Sequence, residues 1–322
     1  MLINIGTAVI LDWLIGDPPS WPHPIRFIGW IISTYEKWIR RFFKNLYVGG
    51  AFLMILTVLT VLGIYAIAAA IIHPYFFRLI NIYLLYTCLA CKCLGDEAKK
   101  VKRLIVEDKL EDSRKELGYL VGRDTDNLTV EQVLRGIIET VSENTVDGIL
   151  APLFYMILGA IVDFKLQTNG FSVAVVTAMI YKSVNTLDSM VGYMQAPYRE
   201  IGCVSAKTDD VLNWIPARVG AIIMVIAGGF LRLDFMSGIK MVIRDHGNHK
   251  SPNCGYPEAA TAGLLGIQLG GTNIYFGQSV YKPTIGDAIR AFEVKDIDSS
   301  IRIMYLSEVI LFAVLFAIYR VI

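Results

Sequence analysis

Residues 48–72 carry no charge, and the run is long enough to cross a hydrocarbon core of roughly 30 Å as a helix. Residues 75–94 form a second apolar run. The His73-Pro74 step between the two predicts a tight turn and a helical hairpin. The pattern then changes character. Residues 95–135 open with Asp96, Glu97, Lys99, Lys100, Lys102 and Arg103 and read as a charged, helix-forming segment outside the bilayer. Apolar stretches return at 149–162, 171–184 and 217–231, and the chain closes on 303–322. Several of these are too short or too interrupted to be simple spans. Residues 1–15 are apolar but lack a basic leader and run into Gly16-Asp17-Pro18-Pro19 where a cleavage site would need small residues, so this segment is expected to be retained.

Composition supports a bilayer environment. Hydrophobic residues make up 54% of the 322 and charged residues only 18%, a balance too apolar for a soluble domain. The net charge of +1 supplies no basic field of the kind nucleic acid requires, which sets that partner aside. Lys37, Arg40, Arg41 and Lys44 precede the first span and Lys92 to Arg103 follow the second, which puts both flanks on the cytoplasmic side. The connection at 232–302 carries Lys240, Arg244, Lys250, Lys282, Arg290 and Lys295 and is assigned to the same side. If all three middle stretches crossed, that connection would lie outside. At least one is therefore expected to be re-entrant or packed within the protein, with Pro152 and Pro216 marking where irregular backbone is tolerated.

Five cysteines, three of them in an apolar run, indicate reduced thiols facing a cytosol. Cys88-x2-Cys91-x-Cys93 lacks the second ligand pair of a zinc clip and reads as small buried residues. No repeat or flexible linker is visible. The fold class expected is all-α: a polytopic integral membrane helical protein, one membrane-embedded domain over 1–322. It carries a charged cytoplasmic helical segment at 95–135 and a cytoplasmic motif-bearing region at 232–302.

Polar residues inside apolar sequence carry the chemistry. Glu139, Glu143 and Asp147 fall at i, i+4 and i+8, so one helical face holds three carboxylates flanked by Thr140 and Asn144. A lone carboxylate at the bilayer centre costs roughly 2.5 to 3.5 kcal/mol, so a cation is needed to offset the stripe unless it is a solvated face just outside the membrane. Magnesium takes such hard oxygen ligands, and a substrate amine is the other fit. Asn185, Asp188 and Ser189 form a second island, and Asp209, Asp210 and Asn213 a third. Either alone could be a helix cap. Arg123-Asp124-Thr125 and the segment at 245–258 read as loops, and Ser251-Pro252-Asn253-x-Gly255 could wrap an anion with backbone N–H groups. His246 and His249, three apart, read as a surface pair with no metal. Neither standard nucleotide signature is present, so an ATP site must be of another kind.

The segments LDWLIGDPPSWPHPIRFIGW (11–30), GRDT (122–125), ETVSENTVDGILAPLF (139–154), NTLDSMVGY (185–193), DDVLNWIPAR (209–218), SPNCGYPEAA (251–260) and KPTIG (282–286) closely resemble the CobD/CbiB cobalamin-biosynthesis family, in the family's order. Cys254 stands where the resemblance leads one to expect a small residue such as alanine. The resemblance implies an adenosylcobinamide-phosphate synthase. Such an enzyme joins the free propionate carboxylate of adenosylcobyric acid to (R)-1-amino-2-propanol or its O-phosphate, with ATP and Mg²⁺ as cofactors, on the cytoplasmic face of a multi-pass cell membrane. On this basis Glu139, Glu143, Asp147, Asp188 and Asp210 are candidates for metal and amine, with Mg²⁺ assigned to Glu143, Asp147 and Asp188. Arg26, Arg123, Arg218 and Lys282 are candidates for phosphate. Asp17, His23, Asp124, Thr125, Asn144, Asn185, Asn213, Ser251, Asn253 and Glu258 complete the expected substrate-binding set. The lipid bilayer is the other expected partner, and a homo-oligomer is left open. The rival classes are a carrier of corrinoid intermediates, which also uses intramembrane carboxylates but for which no inverted repeat is found, and a sensor or scaffold, which would not need the polar islands.

Overall fold

The computed structural model describes residues 1–166, 171–193, 195–275 and 277–321, so the final residue of the expected closing run, Ile322, lies outside the described residues. Its helices in chain order are α1 (Leu2–Ile15), α2 (Pro24–Phe42), α3 (Leu46–Ile71), α4 (Pro74–Thr87), α5 (Cys91–Val106), α6 (Leu110–Gly118) and α7 (Val130–Thr145). A π turn at Val146–Leu150 leads into α8 (Ala151–Leu166), followed by α9 (Val173–Val191), α10 (Cys203–Phe230), α11 (Phe235–Asp245) and α12 (Gly255–Leu265). Strands β1 (Leu269–Tyr275) and β2 (Gln278–Ile285) precede the closing helix α13 (Lys295–Val321).

Among the described residues, five helical runs are long and apolar enough to cross a membrane: Leu46–Ile71, Pro74–Val106, Val130–Leu166, Cys203–Phe230 and Lys295–Tyr319. The α3–α4 hairpin forms as its sequence dictates. The Asn45 side chain accepts the Tyr47 and Val48 amides to start α3. Pro74 sits at the first turn of α4, whose Tyr75 amide donates to His73 Nδ1. Of the three middle apolar stretches, 171–184 lies in α9, which does not meet the criteria for a span. Two qualifying runs between α5 and α11 are an even number, as a common side for 95–135 and 232–302 requires.

The chain divides into two compact units. One is built from Met1–Ala90, Pro152–Asn213 and Val314–Ile322, the other from Cys91–Ala151 and Trp214–Ala313. In the first unit, α9 packs on α2, α3 and α4, and α1 packs on α4. Pro216 does not interrupt its helix, contrary to expectation: α10 runs through it unbroken. Proline leaves the carbonyl four residues earlier without its helical donor, and that carbonyl, Leu212 O, accepts from Tyr155 Oη at 2.9 Å. At Pro152 the expected irregularity does occur, as the π turn just before it.

In the second unit, α12 packs on α11 and α7, and α5 and α6 pack on α7. The motif-bearing region at 232–302 adds a short strand pair to an otherwise helical chain. β1 and β2 form an antiparallel hairpin that pairs Gly271 with Lys282 and Tyr275 with Gln278, with a bulge between Leu269 and Gly271. The bulge depends on Gly270 and Gly271, whose φ values of +80° and +85° are left-handed. The loop after α6 clasps this hairpin. The Asp124 amide donates to Ile274 O at 2.9 Å, and the Gly277 amide donates to Asp124 Oδ2 at 2.8 Å.

Candidate functional site

α7 is positioned by a capping box in which Thr129 and Gln132 satisfy each other's backbone amides. Its inner face then places Glu139, Thr140, Glu143 and Asn144 along one side of a cavity of about 140 Å³, closed by 120–123 and Lys282. Arg123 enters this cavity almost fully buried. Its Nη1 lies 3.0 Å from Glu139 Oε2 and also donates to Asn273 Oδ1. Glu139 Oε1 accepts the Gly270 amide at 2.9 Å, so one carboxylate binds loop, helix and hairpin together. Room for the guanidinium depends on Gly136, where an added Cβ would stand 2.5 Å from Arg123 Nη2 and 2.9 Å from Leu117 Cδ2. Arg123 Nε and Nη2 are buried without a hydrogen-bond partner among the described residues. A buried cationic donor left in this state is costly unless a ligand oxygen completes it.

One turn on, Glu143 meets residues from the 232–302 region. Its Oε1 lies 3.6 Å from His249 Nε2, and Glu143, His249 and Glu258 present ligand-type atoms within 4.8 Å of one another. Glu258 is buried on α12, and burial first, then the neighbouring Glu143 and Glu139 charges, hold its carboxyl well above the usual carboxylate range. Of the pair it is the carboxyl that holds its proton the more firmly, and it is hydrogen-bonded to Glu143. His249 is held below its ordinary value chiefly by burial, against the pull of Glu143. Its Nδ1 accepts the Ser251 amide at 3.0 Å, which puts the proton of the neutral ring on Nε2, facing Glu143. In that tautomer the 3.5 Å approach of Lys282 Nζ to Nε2 is not a hydrogen bond, and the ring has no lone pair free for a metal there. A hard cation is a matter for the two carboxylates, whose shared proton it would replace.

The three-carboxylate stripe is therefore split. Glu139 and Glu143 line one cavity, whereas Asp147 lies beyond it, near Cys254, whose thiol is pushed up by burial and by the Glu143 and Asp147 charges. The proposed anion nest is revised as well. The amides of Asn253 and Cys254 are directed at Ser251 Oγ, at 3.2 and 3.4 Å, so they close a turn on their own side chain. Asp124 and Thr125 serve the loop: Asp124 latches the hairpin, and Thr125 O accepts the Leu128 amide. Arg218 is stacked between the rings of Trp214 and Tyr256 at 4.1 and 4.5 Å. His249, read from the sequence as half of a surface pair, is instead largely buried beside Glu143, a placement that its spacing from His246 could not signal.

The remaining expected residues belong to the first unit. Asp188 lies on α9. It neighbours Asp209 and Asp210, and Asp209 accepts from Asn213 Nδ2 at 2.9 Å and Asn185 Nδ2 at 3.4 Å, with Tyr181 Oη donating to Asn213 Oδ1 at 2.9 Å. The expected Mg²⁺ set of Glu143, Asp147 and Asp188 is thus distributed over two units. Near the N-terminus, Asp17 pairs with His23 at 3.2 Å and Arg26 Nη1 donates to Pro19 O at 2.7 Å, while Tyr83 and Tyr86 donate to Pro22 O and Gly16 O. These contacts rigidify the Gly16–Pro24 turn.

A family model described as "CobD/Cbib protein" matches residues 5–304. The "Cobalamin biosynthesis protein CobD" of Listeria monocytogenes is 44% identical over 324 residues, covering 99% of this chain and 98% of its own. The protein of the same name from Clostridium tetani is 42% identical over 96% of this chain and 95% of its own. The "Cobalamin biosynthesis protein CbiB" of Salmonella typhimurium is 43% identical with the same coverage. No solved structure matches the chain.

Proposed function

Because the chain belongs to the CobD/CbiB family of cobalamin-biosynthesis proteins, we propose that it is the ATP-dependent synthase that joins the free propionate of adenosylcobyric acid to (R)-1-amino-2-propanol or its phosphate. The observation that carries this reading is the cavity in which the buried, incompletely satisfied Arg123 guanidinium faces Glu139, Glu143 and Lys282. Amide formation from a carboxylate needs an activated acyl group. In this reading the propionate oxygen attacks the γ-phosphorus and ADP leaves; the amine nitrogen then attacks the acyl carbon and phosphate departs. Arg123 and Lys282 supply fixed positive charge for the phosphoryl oxygens, and such preorganised charge acts most strongly in a site that excludes water. Glu143, which lines the cavity beside His249 and Glu258, takes the proton that the attacking amine must lose. Mg²⁺, which screens phosphate charge in the phosphoryl step, would be held by Glu143 and Glu258 in place of their shared proton, and Glu143 acts as base only in the separate amine step. We assign the site to the cytoplasmic side, where the basic connections lie. Purified protein supplied with adenosylcobyric acid, ATP, Mg²⁺ and either amine should yield the amide by mass spectrometry. Full turnover in EDTA without nucleotide would overturn the reading, as would corrinoid transport in vesicles with no amide product.

A further inference from the structure

The second unit holds another cavity, of about 520 Å³, that no expected residue lines. It lies at the start of α7 between the beginning of β1 and the loop at 288–292. Its wall includes Gln132, Arg135, Gln268, Thr284, Arg290 and Phe292. The volume falls within the roughly 300 to 1,000 Å³ of small-molecule sites, whereas the 140 Å³ cavity around Arg123 is far below it. The larger space is also too small to enclose a corrin macrocycle with its side arms. The two cavities share a wall. Arg135 and Gly270 line the larger one, and Glu139, which accepts the Gly270 amide and lies 3.8 Å from Arg135 Nε, lines the smaller.

Their charge differs in a way that orders a ligand. Arg290 is held in a two-pronged pair with Asp296, at 2.6 and 2.9 Å, and Glu131 adds a negative charge, so the larger cavity is polar but not cationic. Amide side chains, strand-edge backbone and one aromatic ring suit a neutral, flat, hydrogen-bonding group. Cationic groups lie toward the smaller cavity: Arg135 on the shared wall, then Arg123 with Nε and Nη2 unsatisfied among the described residues, then Lys282.

We propose that the larger cavity holds the nucleoside of the triphosphate, with Phe292 against the base, and that its phosphates pass Arg135 to end at Arg123 and Lys282. This rests on the ATP-dependent reading above and gives it a nucleotide site of a kind that carries no glycine-loop signature. The test is photolabelling of the full-length protein in detergent with 8-azido-ATP, followed by peptide mapping. Label within 129–135 or 268–292, displaced by ATP, supports the site, and label confined to other segments overturns it. Ala288→Trp fills the larger cavity from the exposed loop, so it should weaken both adenosine and ATP by about tenfold or more, with the melting temperature kept. Arg123→Gln should weaken ATP while leaving adenosine unchanged. Equal ATP affinity in wild type and a folded Ala288→Trp protein rejects the location while leaving ATP dependence intact. Amide formation without any nucleotide rejects the function on which the location rests.

Discussion

Gly136→Ala separates the packing described here from simple helix propensity. On an exposed helix, replacing glycine by alanine stabilises by about 1 kcal/mol. At 136 the new methyl would lie 2.5 Å from Arg123 Nη2 and 2.9 Å from Leu117 Cδ2, and both neighbours are buried. Restoring ordinary contact near 3.5 Å requires shifts of about 1 Å and 0.6 Å. Arg123 has no slack, since Nη1 is fixed between Glu139 Oε2 at 3.0 Å and Asn273. Overpacking of this kind costs about 1 to 3 kcal/mol, which outweighs the propensity gain, so the net change is zero to about 2 kcal/mol destabilising. A displacement near 1 Å in a positioning group also costs about 10²-fold in rate. The assay pairs thermal unfolding in detergent with amide formation under saturating substrates. A Gly136→Ala protein that melts higher than wild type and turns over normally would refute the packing of Arg123 against α7.

Glu143→Gln should lower kcat by about 10²- to 10³-fold, the cost of losing one transition-state electrostatic contact, with Asp147→Asn much milder because Asp147 lies outside the cavity; the reverse order would return the site to the far end of the stripe. Glu258 binds its proton more tightly folded than unfolded, so its contribution to stability is complete below the unfolded value near 4.3 and is lost as pH rises through the raised folded value. Glu258→Gln should therefore flatten the alkaline side of the curve of melting temperature against pH, and parallel wild-type and variant curves would contradict a protonated Glu258. A cysteine at the position of Lys250 should resist an impermeant reagent in right-side-out vesicles and react once they are opened; labelling from outside would invert the topology.

The spans were legible because uncharged runs and their caps are local signals: Asn45, His73 and Pro74 start helices where their chemistry directs. The hairpin was not, because its strands are short and its bulge relies on two left-handed glycines that read only as loop. Glu139 and Glu143 were found from spacing, but their partners were not. Arg123, His249 and Lys282 come from positions as far as 159 residues apart, and no periodicity in one segment reports on another. Glu258 ended a segment that read as loop and was singled out only through the family resemblance; its place in the first turn of α12, buried against Glu143, is what raises its hold on a proton.

The π turn at Val146–Leu150 holds one residue more than a regular helix needs over that distance. Five residues of π helix turn through about the angle that four residues of α-helix do, so deleting a single residue between Val146 and Leu150 would let the ladder close regularly and leave the face of Ala151 to Leu166 nearly where it is. Deleting one in the regular turns on either side would instead rotate everything beyond it by about 100° around the axis, so that Gly159, whose backbone now lies against Ala174, would face elsewhere. At this point the helix carries a residue of slack. In a library of single deletions through 130–166, this short stretch should therefore be where a one-residue loss is absorbed, while losses in the flanking turns reorient one end of the run against the other.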